Sequence, residues 1–186
     1  MNKPAPTPTA ELPDLEGKKV SESKTIMTEM IMPNDTNPLN DLMGGNLLRW
    51  MDVVAAITAS KHCESTTVTA SVDNVSFQRA IKMGEVVTLT AEVTRAFTTS
   101  VEVYVEVFAA DVRGKNPRRC NHAYFTFVAL EGEARTKQRV PPVIPLTAEE
   151  QQRYDSAVRR RELRLILSGR MEPKEAVHLR SFFDKL

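Results

Sequence analysis

Two cysteines, one tryptophan and seven glycines are all that 186 residues contain of those types. Cys63 and Cys120 lie far apart, and no CxxC or Cys/His spacing of a zinc site accompanies them. Reduced thiols in a cytoplasmic protein are the simplest expectation. There is no uninterrupted apolar run of ~18 residues, so no membrane span is expected. Neither charge sign dominates: Lys plus Arg number 25 and Asp plus Glu 24. Bulk electrostatics therefore gives no argument for a nucleic-acid or anionic-membrane partner. The sequence also lacks GxSxG, GxGxxG and GxxxxGK[ST], which removes the nucleophile elbow and the common phosphate loops. His62, His122 and His178 form no HxxxH or HExxH pattern.

What is present is strongly patterned. Residues 1–22 open with "MNKPAPTPTAELPDLEGKK", Pro-rich and polar without the apolar centre of a signal peptide, and are expected to form a flexible tail. "SKTIMTEMIMP" reads as a first strand ending at Pro33. "NDTNPLNDLMGG" is loop chemistry. A helix is predicted from Gly45 or Asn46 to "KHCES", where Lys61 and His62 suit the negative end of the dipole. Strands are predicted after it at 66–77, 85–97, 100–110 and 119–130. In the second, Val87, Leu89, Ala91 and Val93 share a face; in the third, Val101, Val103, Val105 and Val107 do. Short connections such as "FTTS" imply antiparallel pairing. "VPPVIP" breaks the chain, and Thr147 with Glu150 forms a capping box for a helix carrying Arg159, Arg160 and Arg161. That basic run reads first as a solvated face, and otherwise as a helix packed on the sheet or a contact to phosphates. A short helix is expected over 173–185. A helix apolar nearly all round needs cover on several sides, and one long antiparallel sheet wrapped around it supplies that. The fold class is α+β, with boundaries at 1–22, 23–145 and a C-terminal helical extension over 146–186.

The chemistry-bearing candidates lie at the start of that helix. Asp52 shares a face with Leu48, Ala55, Ala56 and Ala59. An ionised carboxylate there loses hydration unless hydrogen bonds compensate. Its role is either catalytic or local, at a polar interface or paired with Arg49. Gly44 and Gly45 precede the helix, whose first N–H groups have no internal partner and suit an oxyanion; alone the pair is also an ordinary tight turn. Asp52 lies seven residues after Gly45, ~10 Å along the axis, too far for one carbonyl to touch both on one helix. An antiparallel helix from a second subunit would bring them together. Asn37 in "DTNPLND" either makes an Asx turn or orients a water or carbonyl. Asp41 is a turn residue or a competing acid.

Taken together, "DTNPLNDLMGGNLLRWMDVVAAITASKHC", "VTASVDNVSFQRAIKMGEVVTLTAEV", "TSVEVYVEV", "FTFVAL" and "VPPV" resemble hot dog-fold acyl-CoA thioesterases, over about residues 24–164. The nearest groups are the bacterial hexameric enzymes and the cytosolic brain-type hydrolase. The resemblance implies a long central helix wrapped by an antiparallel sheet, a dimer assembled as a trimer of dimers, and hydrolysis of fatty acyl-CoA without metal or cofactor, CoA being part of the substrate. It places the catalytic carboxylate on Asp52, the loop amide on Asn37 of the other subunit, and the oxyanion donor on Gly44 or Gly45. The residue before the glycine pair, often His in relatives, is Met43 here. The family's CoA-contacting turn falls on Thr99 and Ser100, with Arg79 and Arg95 as phosphate partners. The rivals are a non-catalytic acyl-CoA-binding protein and a hydratase; the latter class usually carries a histidine near the glycine turn, which is absent from this sequence.

Overall fold

The computed structural model describes residues 15–73, 75 and 77–184. In chain order the elements are β1 (Lys18–Lys19), α1 (Val20–Ser23), β2 (Thr25–Met30), α2 (Gly44–Cys63), β3 (Thr66–Asp73), β4 (Val86–Ala96), β5 (Ser100–Ala110), β6 (Arg118–Glu131), β7 (Thr136–Lys137), β8 (Val143–Ile144), α3 (Ala148–Leu167) and α4 (Val177–Phe183). Among the described residues the main sheet runs β2-β4-β5-β6-β3, antiparallel throughout, with β7 added on β6.

Period-two alternation builds the core. Val87, Leu89, Ala91 and Val93 of β4, the four valines of β5, and Ala123, Phe125, Phe127 and Ala129 of β6 are all buried on the inner face. The long helix α2 lies across them with Leu47, Trp50, Met51, Val54, Ala55 and Ala59 turned inward. Each fully buried Val or Leu contributes about 1.5–3 kcal/mol of apolar transfer, so this helix-in-sheet contact dominates the fold. The predicted faces of β4 and β5 are the ones found. The helix starts one residue earlier than expected, at Gly44, and β3 stops at Asp73 rather than at Phe77.

The expected tail needs correcting at its end. Residues 1–14 lie outside the described residues, but 18–22 are built into the fold. Lys18 and Lys19 pair in parallel with Val143 and Ile144, so "VPPVIP" supplies a short strand as well as a break. Val20 is buried. The Lys18 ammonium donates to the carbonyls of Lys61 and His62, capping the last turn of α2, where Glu64 adopts the left-handed conformation. Both cysteines are free and buried.

The C-terminal extension is likewise no solvated helix. Thr147 and Glu150 form the anticipated capping box. From there α3 crosses the outer face of the sheet. Arg153 meets Glu92 of β4 at 3.0 Å, Arg160 meets Glu102 of β5 at 2.7 Å, and Arg164 meets Asp73 of β3 at 2.7 Å. Arg160 also lies over the Tyr124 ring, 3.8 Å from its centroid. Glu162 accepts from the backbone N–H groups of His178 and Leu179 and so caps α4. None of the described helices is long and apolar enough to cross a membrane.

Candidate active site

Two segments meet at the head of α2. The first is the loop after β2. A short 3-10 turn, Pro33–Asp35, redirects the chain, and Asn37 then organises the rest of the loop. The Asn37 Oδ1 accepts from the N–H of Leu39 at 2.9 Å and of Asp41 at 3.1 Å. Two backbone donors on one atom identify it as the carbonyl oxygen and leave the Nδ2 amide as the outward donor. Asn37 thus makes the Asx turn and keeps a free NH₂, with no acceptor for it among the described residues. Asp41 is accounted for differently: the Lys82 ammonium lies 2.6 Å from its Oδ1. It is a loop anchor, not a free acid.

The second segment is the first turn of α2. The N-cap is Met43, whose side chain makes no capping bond, so the Gly44 and Gly45 amides are left without that partner. The two glycines answer to different demands. A Cβ on Gly44 would stand 2.9 Å from Cζ of Phe77, so the ring occupies that space. A Cβ on Gly45 would meet nothing within 4 Å, and that position is open.

Asp52 lies two turns further along. It is half-buried in the single chain, not enclosed. Its neighbours Val53 and Ile57 are 40% and 42% exposed, so the apolar helix has a bare side. The Asp52 carboxylate is held from β3: Thr69 Oγ1 donates to Oδ1 at 2.8 Å. No ion pair joins Asp52 to Arg49 among the described residues, which removes the local-pairing alternative. Thr69 is the residue that sequence reasoning missed. Alternation alone would turn Val68 and Val72 toward the helix; it is the register with β6, Thr67 opposite Ala129 and Thr69 opposite Phe127, that turns the threonines to α2, where Thr67 meets Ser60 at 3.0 Å.

The remaining candidates are not gathered together. Thr99 and Ser100 sit in the β4–β5 turn, where Ser100 carbonyl accepts from Phe97 N–H and Thr99 carbonyl from Ala129 N–H. That turn lies at the C-terminal end of α2, near Val140, which donates to Thr98. Arg79 is exposed and leads into Ile81, whose carbonyl accepts from Leu42 N–H beside the head of α2. One chain therefore keeps Arg79 and the Thr99–Ser100 pair at opposite ends. Arg95 requires a correction. Its guanidinium lies 4.2 Å from the Tyr154 ring centroid and donates to the Tyr154 carbonyl at 3.1 Å. It is engaged in docking α3 and is not presented to a phosphate.

Of the histidines, His62 is fully buried, its Nε2 2.9 Å from the Pro141 carbonyl, and burial lowers its pKa. His122 lies on the outer face beside Tyr104 and is also shifted down by burial. Neither is positioned by the glycine turn. Among the described residues no group of three or more His, Cys, Asp or Glu side chains could hold a metal ion.

A long helix wrapped by one antiparallel sheet is the hot dog architecture, and the comparisons place the chain among its thioesterases. The family model described as the Thioesterase superfamily matches residues 39–115. The chain is 37% identical over 145 residues to the uncharacterized acyl-CoA thioester hydrolase YkhA of Bacillus subtilis (strain 168), covering 78% of this chain and 84% of that protein. Among solved structures, an acyl-CoA hydrolase of Staphylococcus aureus, in complex with butyryl coenzyme A, coenzyme A and coenzyme A disulfide, is 39% identical. It superposes with a TM-score of 0.76 over 82% of this chain and 94% of that one. An apo-hexameric acyl-CoA thioesterase is 36% identical, with a TM-score of 0.80 over 83% of this chain and 98% of its own. The chain belongs to the thioesterase superfamily, among its acyl-CoA thioester hydrolases. Alanine variants of the Staphylococcus aureus enzyme have been solved at an Asn, at an Asp fifteen residues later, and at a Thr seventeen residues beyond that.

Proposed function

We propose that the protein hydrolyses fatty acyl-CoA to free acid and CoA at a site shared by two copies of the chain. The observation that carries this reading is the set Asn37, Asp52 and Thr69. It has the spacing of the three residues replaced in the Staphylococcus aureus hydrolase, fifteen and then seventeen. Here Thr69 holds the Asp52 carboxylate, and Asn37 presents a free amide.

In this reading a second copy completes the site. Gly45 and Asp52 are ~10 Å apart on one helix, so they cannot serve one carbonyl. The exposed positions Gly45, Arg49, Val53 and Ile57 form one stripe at helical spacing, beside β3, whose outer edge carries no strand among the described residues. A two-fold axis near Arg49 sets one Asp52 beside the other chain's Gly45 and buries both stripes. Association of three such pairs gives the hexamer, the assembly named for one of the structural neighbours.

In this arrangement Asp52 takes a proton from water, whose oxygen attacks the thioester carbonyl carbon. The Gly44 and Gly45 amides and the Asn37 amide donate to the oxyanion. Collapse breaks the C–S bond and releases the CoA thiolate, a good leaving group. Direct attack by the carboxylate, through a mixed anhydride, uses the same atoms. Single turnover in ¹⁸O-water that labels Asp52 would establish the anhydride route, because general-base hydrolysis puts the label only in the acid product. Thr99 and Ser100 contact CoA, and Arg79, from the other end of the fold, reaches the same nucleotide only across subunits.

The deciding experiment is Asp52→Asn. The variant is expected to keep its assembly and lose at least about 100-fold in kcat, the scale of a lost general base. Wild-type turnover of palmitoyl-CoA by Asp52→Asn would overturn the assignment, and absence of thiol release from the wild type at every chain length would favour a binding protein.

A further inference from the structure

The arginines of α3 engage β4, then β5, then β3 in order, so the helix runs diagonally across the outer face toward the free edge of the sheet. Arg164 reaches Asp73 at that edge, and the helix continues to Leu167. Only Ala157 among the apolar residues of α3 is buried; Leu163 is 40% and Leu167 80% exposed. The helix thus spends arginines on its own sheet and carries its leucines to the edge. There Val72, Asp73, Arg160, Leu163, Arg164 and Leu167 bound a cleft of about 210 Å³.

We infer that the last turns of α3 overhang the β3 edge and pack on the second copy of the chain, latching the pair from the sheet's outer side. This rests on the reading of β3 and α2 as the seam between the two copies. Val72 belongs both to the cleft and to the edge strand, so a chain paired along β3 lies against the cleft. Antiparallel edge pairing sets the Asp73 end of one β3 toward the Thr66 end of the other. The first half of the second copy's β3, where Val68 is 43% exposed in the single chain, then faces Leu163 and Leu167. Arg160 and Arg164 are already paired with Glu102 and Asp73, so an apolar occupant leaves no charge newly uncompensated.

The test compares two full-length variants with the wild type by sedimentation over a range of concentrations. Leu163→Gln/Leu167→Gln removes the leucines and retains good helix formers. Val53→Asp attacks the α2 stripe itself. Val53→Asp is expected to abolish pairing, and the double Gln variant to raise the dissociation constant on the order of 10- to 100-fold, with far-UV circular dichroism unchanged. If Val53→Asp separates the chains while the Gln variant associates like wild type, the latch is wrong and the seam stands. If neither variant weakens association, the seam reading falls and the latch with it. Leu167→Cys labelled with a photoactivated crosslinker gives an independent arm, since Cys63 and Cys120 are 2% and 1% exposed. A covalent adduct between chains is expected; an adduct confined to one chain overturns the proposal.

Discussion

Replacing Thr69 by valine exchanges one hydroxyl for a methyl and preserves β-branching, so β3 keeps its shape. What is lost is the 2.8 Å donation to Asp52. A hydrogen bond to a charged group is worth about 1.5–3 kcal/mol net. Felt wholly in the transition state, that is a loss of roughly 10- to 150-fold in kcat, at one decade per ~1.4 kcal/mol. KM should hold, because Thr69 touches the enzyme's carboxylate and not the substrate. Stability should change by under about 1 kcal/mol, since Thr69 is exposed in the single chain and water can take the vacated place. Thr69→Ser keeps the donor and should recover turnover to within about 3-fold of wild type. Thiol release against acyl-CoA concentration gives kcat and KM; urea unfolding gives stability. A Thr69→Val enzyme turning over within about 2-fold of wild type would refute a positioning role, as would a Ser variant as impaired as the Val one.

Two further perturbations probe the frame around the site. Arg160→Met leaves the fully buried Glu102 carboxylate with Thr94 as its remaining side-chain partner, and should cost about 3–5 kcal/mol of unfolding free energy. Adding Glu102→Gln should return most of that loss in the same urea titration. His62 concerns pH. Burial lowers its folded pKa, so the native chain holds it neutral while the unfolded chain takes up a proton below about 6.5. Its contribution is fully present above that pH and declines below it, by up to about 1.4 kcal/mol per pH unit, until the folded pKa is passed. In denaturant titrations between pH 5 and 8, His62→Gln should remove that part of the slope.

The parts legible in the sequence are those written by local periodicity. Val101, Val103, Val105 and Val107 alternate because one face of β5 meets α2, and no distant information is needed to see it. Thr147 and Glu150 announce their helix for the same reason. What escapes depends on pairs far apart in the chain. A helix with an Arg159–Arg160–Arg161 run reads as solvated until Glu92, Glu102 and Asp73, 58 to 91 residues away, are seen beneath it. Arg95 reads as available for phosphate because its partner, Tyr154, is on that same distant helix. Lys18 reads as tail because its two carbonyl acceptors end α2 and its strand partner lies just after Pro142.

The apolar helix around Asp52 implies a buried carboxylate; in the single chain it is not enclosed, and Val53 and Ile57 beside it are bare. The pattern and the structure agree if the missing cover is a second chain, and that has a consequence for mixtures. An Asp52→Asn chain and an Asn37→Ala chain are each expected to be inactive alone. In a mixed pair, one site combines both lesions, and the other receives Asp52 from one chain and Asn37 from the other, both intact. Random pairing of equal amounts makes half the pairs mixed, so about a quarter of wild-type activity should return on dissociation and reassembly. The sum of the separate variants is the expectation if each chain carries its own complete site. Recovery no greater than that sum would place Asn37 and Asp52 in one subunit and undo the two-fold arrangement.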